Sequence, residues 1–76
     1  MPVKLLAFAH TRDVLGFHER LIECAPAETP RTLLARLAPT LDPAALRVAL
    51  DGEYASWDTP IGPATELALI PPVSGG

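Results

Sequence analysis

The fold is decided by residues 29–39, TPRTLLARLAP, where the hydrophobic spacing changes from that of a strand to that of a helix. Thr29 is a suitable N-cap, and Pro30 suits the first helical position. Three leucines recur on one side at helical spacing, namely Leu33, Leu34 and Leu37. Pro39 lacks a backbone donor and should end the helix. We therefore predict one amphipathic helix with one leucine-rich face to bury.

Two apolar stretches of strand length precede this helix. Residues 3–10 form a continuous apolar run, and residues 17–24 follow the polar segment TRDVLG, which contains Gly16. We expect the two stretches to pair as an antiparallel hairpin, with TRDVLG as its turn.

Three more strands are expected after the helix. DPAAL can form a single helical turn, and LRVALDG should be a third strand closed by Asp51 and Gly52. Residues 54–56 are a candidate very short strand, and residues 66–70, ELALI, alternate as a last strand. This order predicts an α+β protein of the β-grasp (ubiquitin-like) type, with a mixed sheet packed on one main helix. Residues 1–76 are expected to form one domain, with 73–76 as an extended tail.

Composition favours a folded protein and argues against several function classes. Of 76 residues, 49% are hydrophobic and 20% are charged, which suits a packed core. The net charge is −3 and the six cationic residues are dispersed, so nucleic-acid binding is not expected. No apolar stretch approaches the roughly 20 residues of a membrane span, and we expect a cytoplasmic protein. The single cysteine and the His spacing predict no metal site and no bound cofactor.

Side chains capable of catalysis are few. Cys24 could form a nucleophilic pair with His10 or His18, but a lone cysteine in an apolar strand is more often a small buried hydrophobe. Four acidic residues near the first hairpin could act as acid and base, although solvated surface charge is the default interpretation. They are Asp13, Glu19, Glu23 and Glu28. We do not expect a self-contained enzyme.

Alternation along the first and last strands divides their side chains between the two faces of the sheet. One set is expected to face the helix: Val3, Leu5, Leu67 and Leu69. The other set is expected to face away from it: Lys4, Leu6, Phe8, Ala68 and Ile70. No second helix is predicted to cover this other face, so it should expose an apolar patch for a partner, with Tyr54 and Trp57 as further candidates. The alternatives are a shifted register or a loop after Trp57 that folds over the patch.

The carboxyl end, IPPVSGG, combines an extended run, a stiff joint and a thin tail. Pro71 and Pro72 cannot donate to a sheet and should project the chain away from the body. The tail itself consists of Val73, Ser74, Gly75 and Gly76. Two terminal glycines can enter a narrow channel in another protein, and their unhindered carboxylate could be activated by ATP as an acyl-adenylate. The alternative is a frayed terminus that happens to contain glycine.

Two stretches, VKLLAFAHTRDVLG and LDGEYASWDTP…ELALIPPVSGG, resemble the small subunits of molybdopterin synthase, a family of ubiquitin-like sulfur carriers. The resemblance implies that a ubiquitin-activating-type enzyme uses ATP to adenylate Gly76, and that a sulfur donor protein then supplies the sulfur of a thiocarboxylate. It also implies that the tail enters the large synthase subunit, within a heterotetramer. There two sulfur transfers would convert cyclic pyranopterin monophosphate into molybdopterin. The catalytic residues would belong to the large subunit.

The resemblance also implies a docking surface. Phe8, Tyr54 and Ile70 match the family's hydrophobic contact positions, Leu6 lies on the same predicted face, and Arg12 matches an arginine that helps to dock the activating enzyme. Asp51 stands where the family often has asparagine, which preserves the turn before glycine. The short DPAAL segment puts in doubt any family contact made through that region.

Two other functions remain open. One is a sulfur carrier for thiamine biosynthesis or tRNA thiolation, although such carriers usually lack the PPV segment. The other is a ubiquitin-like tag or interaction module, which is disfavoured as a polymeric tag because Lys4 is the only lysine.

Overall fold

The computed structural model describes residues 2–71, in which it places five strands, two α-helices and one 3-10 turn. The strands are β1 (Pro2–Ala7), β2 (Glu19–Glu23), β3 (Arg47–Leu50), β4 (Glu53–Ala55) and β5 (Glu66–Ile70). The helices are α1 (His10–Leu15) and α2 (Pro30–Leu37), and the 3-10 turn spans Pro43–Ala45. The predicted tail, residues 73–76, lies outside the described residues, as does Pro72 before it.

The strands form one mixed sheet in the order β2-β1-β5-β3-β4. β1 and β5 are parallel neighbours, while the other three pairs of neighbours are antiparallel. α2 packs on one face of this sheet, so the predicted β-grasp architecture is confirmed.

The main helix begins where its sequence predicted. The Thr29 hydroxyl accepts the Thr32 N–H at 3.3 Å and the Thr32 hydroxyl accepts the Thr29 N–H at 3.1 Å, which closes a reciprocal cap. Leu33 and Leu34 are buried and face β1 and β5 across the core. The buried core cluster joins both sides of this interface: Val3, Leu5, Ile22, Leu33, Leu34, Ala38, Leu46, Val48, Ile61, Leu67 and Leu69.

The first hairpin differs from the sequence prediction, because TRDVLG is not a simple turn. β1 ends at Ala7 instead of residue 10, the helix α1 follows, and β2 begins at Glu19 instead of residue 17. Ala9 has φ 53° and ψ −130°, which turns the chain out of the strand direction. Gly16, at φ 84°, ends α1 and donates its N–H to the Arg12 carbonyl at 2.8 Å. The segment is therefore a short helix between two shorter strands.

The hairpin of β3 and β4 closes through the predicted pair Asp51 and Gly52, which have φ values of 50° and 85°. Such left-handed values at both positions are those of the tight hairpin turn that Asp-Gly favours. The Asp51 carboxylate also accepts the backbone N–H groups of Thr65 and Glu66, each at 3.0 Å. These bonds, the one from Thr65 most of all, lower the pKa of Asp51 and attach the turn to the start of β5.

Candidate functional site

The sheet has one face covered by α2 and one face opposite it, which we call the open face. Val3, Leu5, Leu67 and Leu69 are at most 1% exposed and belong to the core cluster, together with Leu33 and Leu34 of α2. Side chains alternate along a strand, so Lys4, Leu6, Ala68 and Ile70 lie on the open face, where each is half-buried. The predicted division of β1 and β5 between the two faces is confirmed.

Strand register places four small or apolar residues in one row across the open face. Leu6 is opposite Ala68, Ala68 is opposite Ala49, and Ala49 is opposite Tyr54. The row covers three interstrand spacings of about 4.8 Å each. The two alanines lie between the larger Leu6 and Tyr54 side chains, so the row forms a shallow apolar trough.

Phe8 and Ile70 extend this row toward the end of β5 where the tail begins. Ala7 and Leu69 are the last register pair of the parallel strands β1 and β5, and Phe8 and Ile70 are the residues that directly follow this pair. Phe8 is 40% exposed and Tyr54 is 71% exposed, which is unusual for aromatic side chains in a small protein. We define the open-face patch as Leu6, Phe8, Ala49, Tyr54, Ala68 and Ile70.

The patch has charged neighbours of both signs. Lys4 lies between Glu66 on β5 and Leu21 on β2, and Leu21 is 67% exposed. Arg47 is opposite Ile70, and Glu19 is opposite Leu6. An apolar centre with a polar rim is the usual composition of a protein-binding surface.

Trp57 does not join the patch, and this expectation was wrong. Its side chain is half-buried against the core cluster, and its carbonyl accepts the N–H of Arg31 at the start of α2, at 3.0 Å. The segment that follows also folds toward the helix side: Ile61 is buried in the core and donates its N–H to the Glu28 carbonyl at 2.8 Å. This loop therefore does not fold over the open-face patch.

The predicted site residues outside the sheet lie at two places. Arg12 is exposed on α1, four positions after Phe8. Pro71 directly follows β5 and is half-buried. The other predicted site residues of this segment lie outside the described residues: Pro72, Val73, Ser74, Gly75 and Gly76. Because Ile70 belongs to the patch and Pro71 follows it, the chain leaves β5 at the edge of the apolar surface.

The described residues do not form the hypothetical Cys-His site: His10 begins α1 after the end of β1, whereas Cys24 follows Glu23, which pairs with Pro2 at the start of β1. His18 precedes β2 and Cys24 follows it, so the two are separated by about 20 Å of extended chain at roughly 3.3 Å per residue. Cys24 packs against the core cluster. Burial is the main cause that raises the pKa of its thiol, and the negative charge of the nearby Glu28 raises it further. A raised pKa lowers the thiolate fraction, which is the reactive form.

The acidic residues behave as surface charges. Glu28 is paired with Arg36 at 3.1 Å, and Asp13, Glu19 and Glu23 are exposed. Within residues 2–71 no three His, Cys, Asp or Glu side chains are grouped to hold a metal ion. In the same range, no helix has the length and apolar character needed to cross a membrane.

Two contributors to the site were missed by sequence reasoning. Ala49 is 6% exposed although it lies on the open face, where Ala68 and Tyr54 flank it. The alternation of LRVAL could have placed it there. Thr11 is fully buried beneath Phe8, and a polar residue within an expected turn gives no signal of burial.

Comparison with known proteins extends over nearly the whole chain. The ThiS family matches residues 5–76. The chain is 34% identical to the molybdopterin synthase sulfur carrier subunit of Chlamydomonas reinhardtii, with all of both chains covered. It is 30% identical to the subunit of that name from Arabidopsis thaliana, covering all of this chain and 84% of the relative.

A solved structure shows the same fold. SAMP1, small archaeal modifier protein 1 of Haloferax volcanii, superposes with a TM-score of 0.75 at 25% identity, and all of both chains are covered. The match therefore includes the five-stranded sheet, the helix and the strand that leads into the tail. This ubiquitin-like chain belongs to the ThiS family.

Proposed function

We propose that this protein is the sulfur carrier subunit that delivers sulfur for molybdopterin formation. The observation that supports it most is the full-length similarity to two molybdopterin synthase sulfur carrier subunits, at 34% and 30% identity. The family match includes Gly76, the residue that would carry the sulfur. The exposed apolar patch at the origin of the tail is the surface that such a carrier needs for its partners.

Sulfur loading would take place on the Gly76 carboxylate. In the first step a carboxylate oxygen attacks the α-phosphate of ATP, forming an acyl-adenylate and releasing pyrophosphate. Hydrosulfide supplied by the donor protein then attacks the carbonyl carbon and displaces AMP, which leaves a thiocarboxylate with no bond to the donor. The activating enzyme supplies the ATP site in this scheme, so the carrier needs no cofactor of its own.

Sulfur delivery would follow docking of the open-face patch on the large synthase subunit. Ile70 is the last residue of β5 and Pro71 follows it, so a partner that binds the patch would also receive the emerging tail. Proline cannot continue a sheet, which favours a projecting rather than a folded-back tail. Two transfers inside the large subunit would convert cyclic pyranopterin monophosphate into molybdopterin, in a heterotetramer whose catalytic residues belong to that subunit.

Reconstituted molybdopterin formation tests this function. The full chain, the activating enzyme, ATP, a sulfur donor and the large subunit should together yield product, and a chain that lacks Gly76 should yield none. Cys24→Ser is the matched control and should retain full yield, because Cys24 follows Glu23 beside the start of β1, whereas β5 ends beside the end of β1. Product formation without Gly76 would contradict the proposal, as would loss of product in the folded Cys24→Ser variant.

A protein modifier is the second candidate, favoured by the similarity to SAMP1 of Haloferax volcanii. The acyl-adenylate would then be captured by a lysine amine, forming an amide with loss of AMP. Gly76-dependent conjugates on other proteins would support this role, whereas a thiocarboxylate without conjugates would support the carrier. Carriers for thiamine biosynthesis or tRNA thiolation would instead deliver sulfur to other acceptors, without productive binding to the large synthase subunit.

A further inference from the structure

Phe8 lies just beyond the end of β1, where its backbone is not paired with a neighbouring strand. β1 ends at Ala7, whose N–H donates to the His18 carbonyl at 2.8 Å. Phe8 is the next residue, beyond the last paired position of β1. Its ring lies edge-on to His18, with ring centroids 5.5 Å apart, and is 40% exposed. An exposed aromatic side chain at a strand end needs another means of fixing its backbone.

Thr11 provides that means through its hydroxyl group. The hydroxyl oxygen accepts the Phe8 N–H at 2.9 Å, and the same hydroxyl donates to the Phe8 carbonyl. The Thr11 N–H also donates to that carbonyl, at 3.1 Å. One residue thus satisfies both backbone groups of Phe8.

The surroundings of Thr11 make this contact well defined. Thr11 is a polar residue, yet it is 0% exposed, so water does not compete for the hydrogen bonds of its hydroxyl. Between the two residues, Ala9 has a backbone conformation that residues other than glycine rarely adopt. The chain reverses there, which brings the Thr11 side chain under Phe8.

We propose that Thr11 is a positioning residue for docking: its hydroxyl fixes the Phe8 backbone and so presents the Phe8 ring to the partner. This inference rests on the proposed function, in which the open-face patch binds the large synthase subunit. A ring held in its bound position before association loses less conformational freedom on binding, which increases affinity. Thr11 does this without contacting the partner, since it is fully buried.

A double-mutant cycle with the large subunit tests the proposal. Thr11→Val keeps the shape of the side chain but removes the hydroxyl, and Thr11→Ser keeps the hydroxyl. Thr11→Val should weaken binding about tenfold, from the net value of the two hydrogen bonds that the hydroxyl makes to Phe8, while Thr11→Ser should bind like the wild type. In a Phe8→Ala background the same Thr11→Val change should have almost no further effect on affinity, because the ring that it positions is absent.

The outcomes separate this proposal from the proposed function. If Phe8→Ala weakens binding but folded Thr11→Val does not, the positioning role is wrong while docking stands. An equal loss from Thr11→Val with and without the Phe8 ring would also overturn it, since the effect would then be general destabilisation. If Phe8→Ala binds like the wild type, both the docking role of Phe8 and the positioning role of Thr11 fail.

Hydrogen exchange on the wild-type chain gives a readout that requires no variant to fold. The Phe8 amide should be protected although it lies beyond the strand pairing, because Thr11 accepts its hydrogen bond. Thr11→Ser should retain this protection. A Phe8 amide that exchanges at the rate of an open loop in the wild type would overturn the proposal.

Discussion

Replacing Ala9 by glycine should stabilise the protein, although glycine usually destabilises. Ala9 has φ 53° and ψ −130°, a combination that is accessible to glycine but strained for a residue with a Cβ atom. Residues held in such conformations cost about 1–3 kcal/mol. The Ala9 side chain is exposed, so deleting its methyl group sacrifices little packing.

The expected gain in the free energy of unfolding is the strain energy that is relieved, minus the entropic cost of glycine's greater conformational freedom in the unfolded chain. That freedom costs roughly 0.5–1 kcal/mol, which leaves a net stabilisation of about 1 kcal/mol. In a domain of this size the gain corresponds to a rise in Tm of about 4–8 °C. Urea unfolding would report it as a higher midpoint with an unchanged slope.

Ala35 offers the matched control. It is exposed in the interior of α2, where glycine should lower stability by about 1 kcal/mol. The two alanine-to-glycine changes should therefore shift the unfolding midpoint in opposite directions. If Ala9→Gly lowers the midpoint as Ala35→Gly does, the proposed strain at the end of β1 is absent and the reasoning is refuted.

Three other changes test the turn, the core and the patch. Asp51→Ala should lower Tm at pH 7, and the difference from the wild type should shrink below about pH 4. The pKa of Asp51 is lowered in the folded state, so the stability that its carboxylate contributes is lost when acid protonates it. Thermal melts at several pH values check this, and a difference in Tm that is independent of pH would contradict it. Leu5→Ala should cost about 2–5 kcal/mol in urea unfolding, because Leu5 is 1% exposed against α2, and a loss below 1 kcal/mol would count against the core assignment. Phe8→Asp should weaken binding to the large subunit by roughly a hundredfold, because the complex would then bury an unpaired charge. Val14→Asp on α1 is the control and should leave binding unchanged. Titration calorimetry measures both affinities, and unchanged binding of folded Phe8→Asp would show that the patch is not part of the interface.

The helix and the last strand could be predicted because several local signals agree there. Thr29 and Pro30 mark the start of α2, and the leucine spacing identifies its buried face. Residues 66–70 alternate strictly, so both the bounds of β5 and the faces of its side chains followed from the sequence. Asp51 and Gly52 likewise specify a two-residue turn.

The region around α1 could not be predicted because its structure depends on contacts that have no sequence signal. A positive φ at Ala9 and the burial of the Thr11 hydroxyl turn an expected loop into a short helix. Trp57 was placed on the wrong side because a turn-rich segment has no alternation to assign a face. Its position depends on packing against the core and on its bond to Arg31.

Intact-mass measurement tests directly whether Gly76 carries sulfur as a thiocarboxylate. After incubation with ATP, the activating enzyme and a sulfur donor, the full chain should gain the difference in mass between one sulfur and one oxygen atom. The gain should map to Gly76 and should be absent when ATP is omitted or Gly76 is deleted. An unchanged mass under loading conditions that convert an established carrier, or an equal gain in the chain lacking Gly76, would contradict the account.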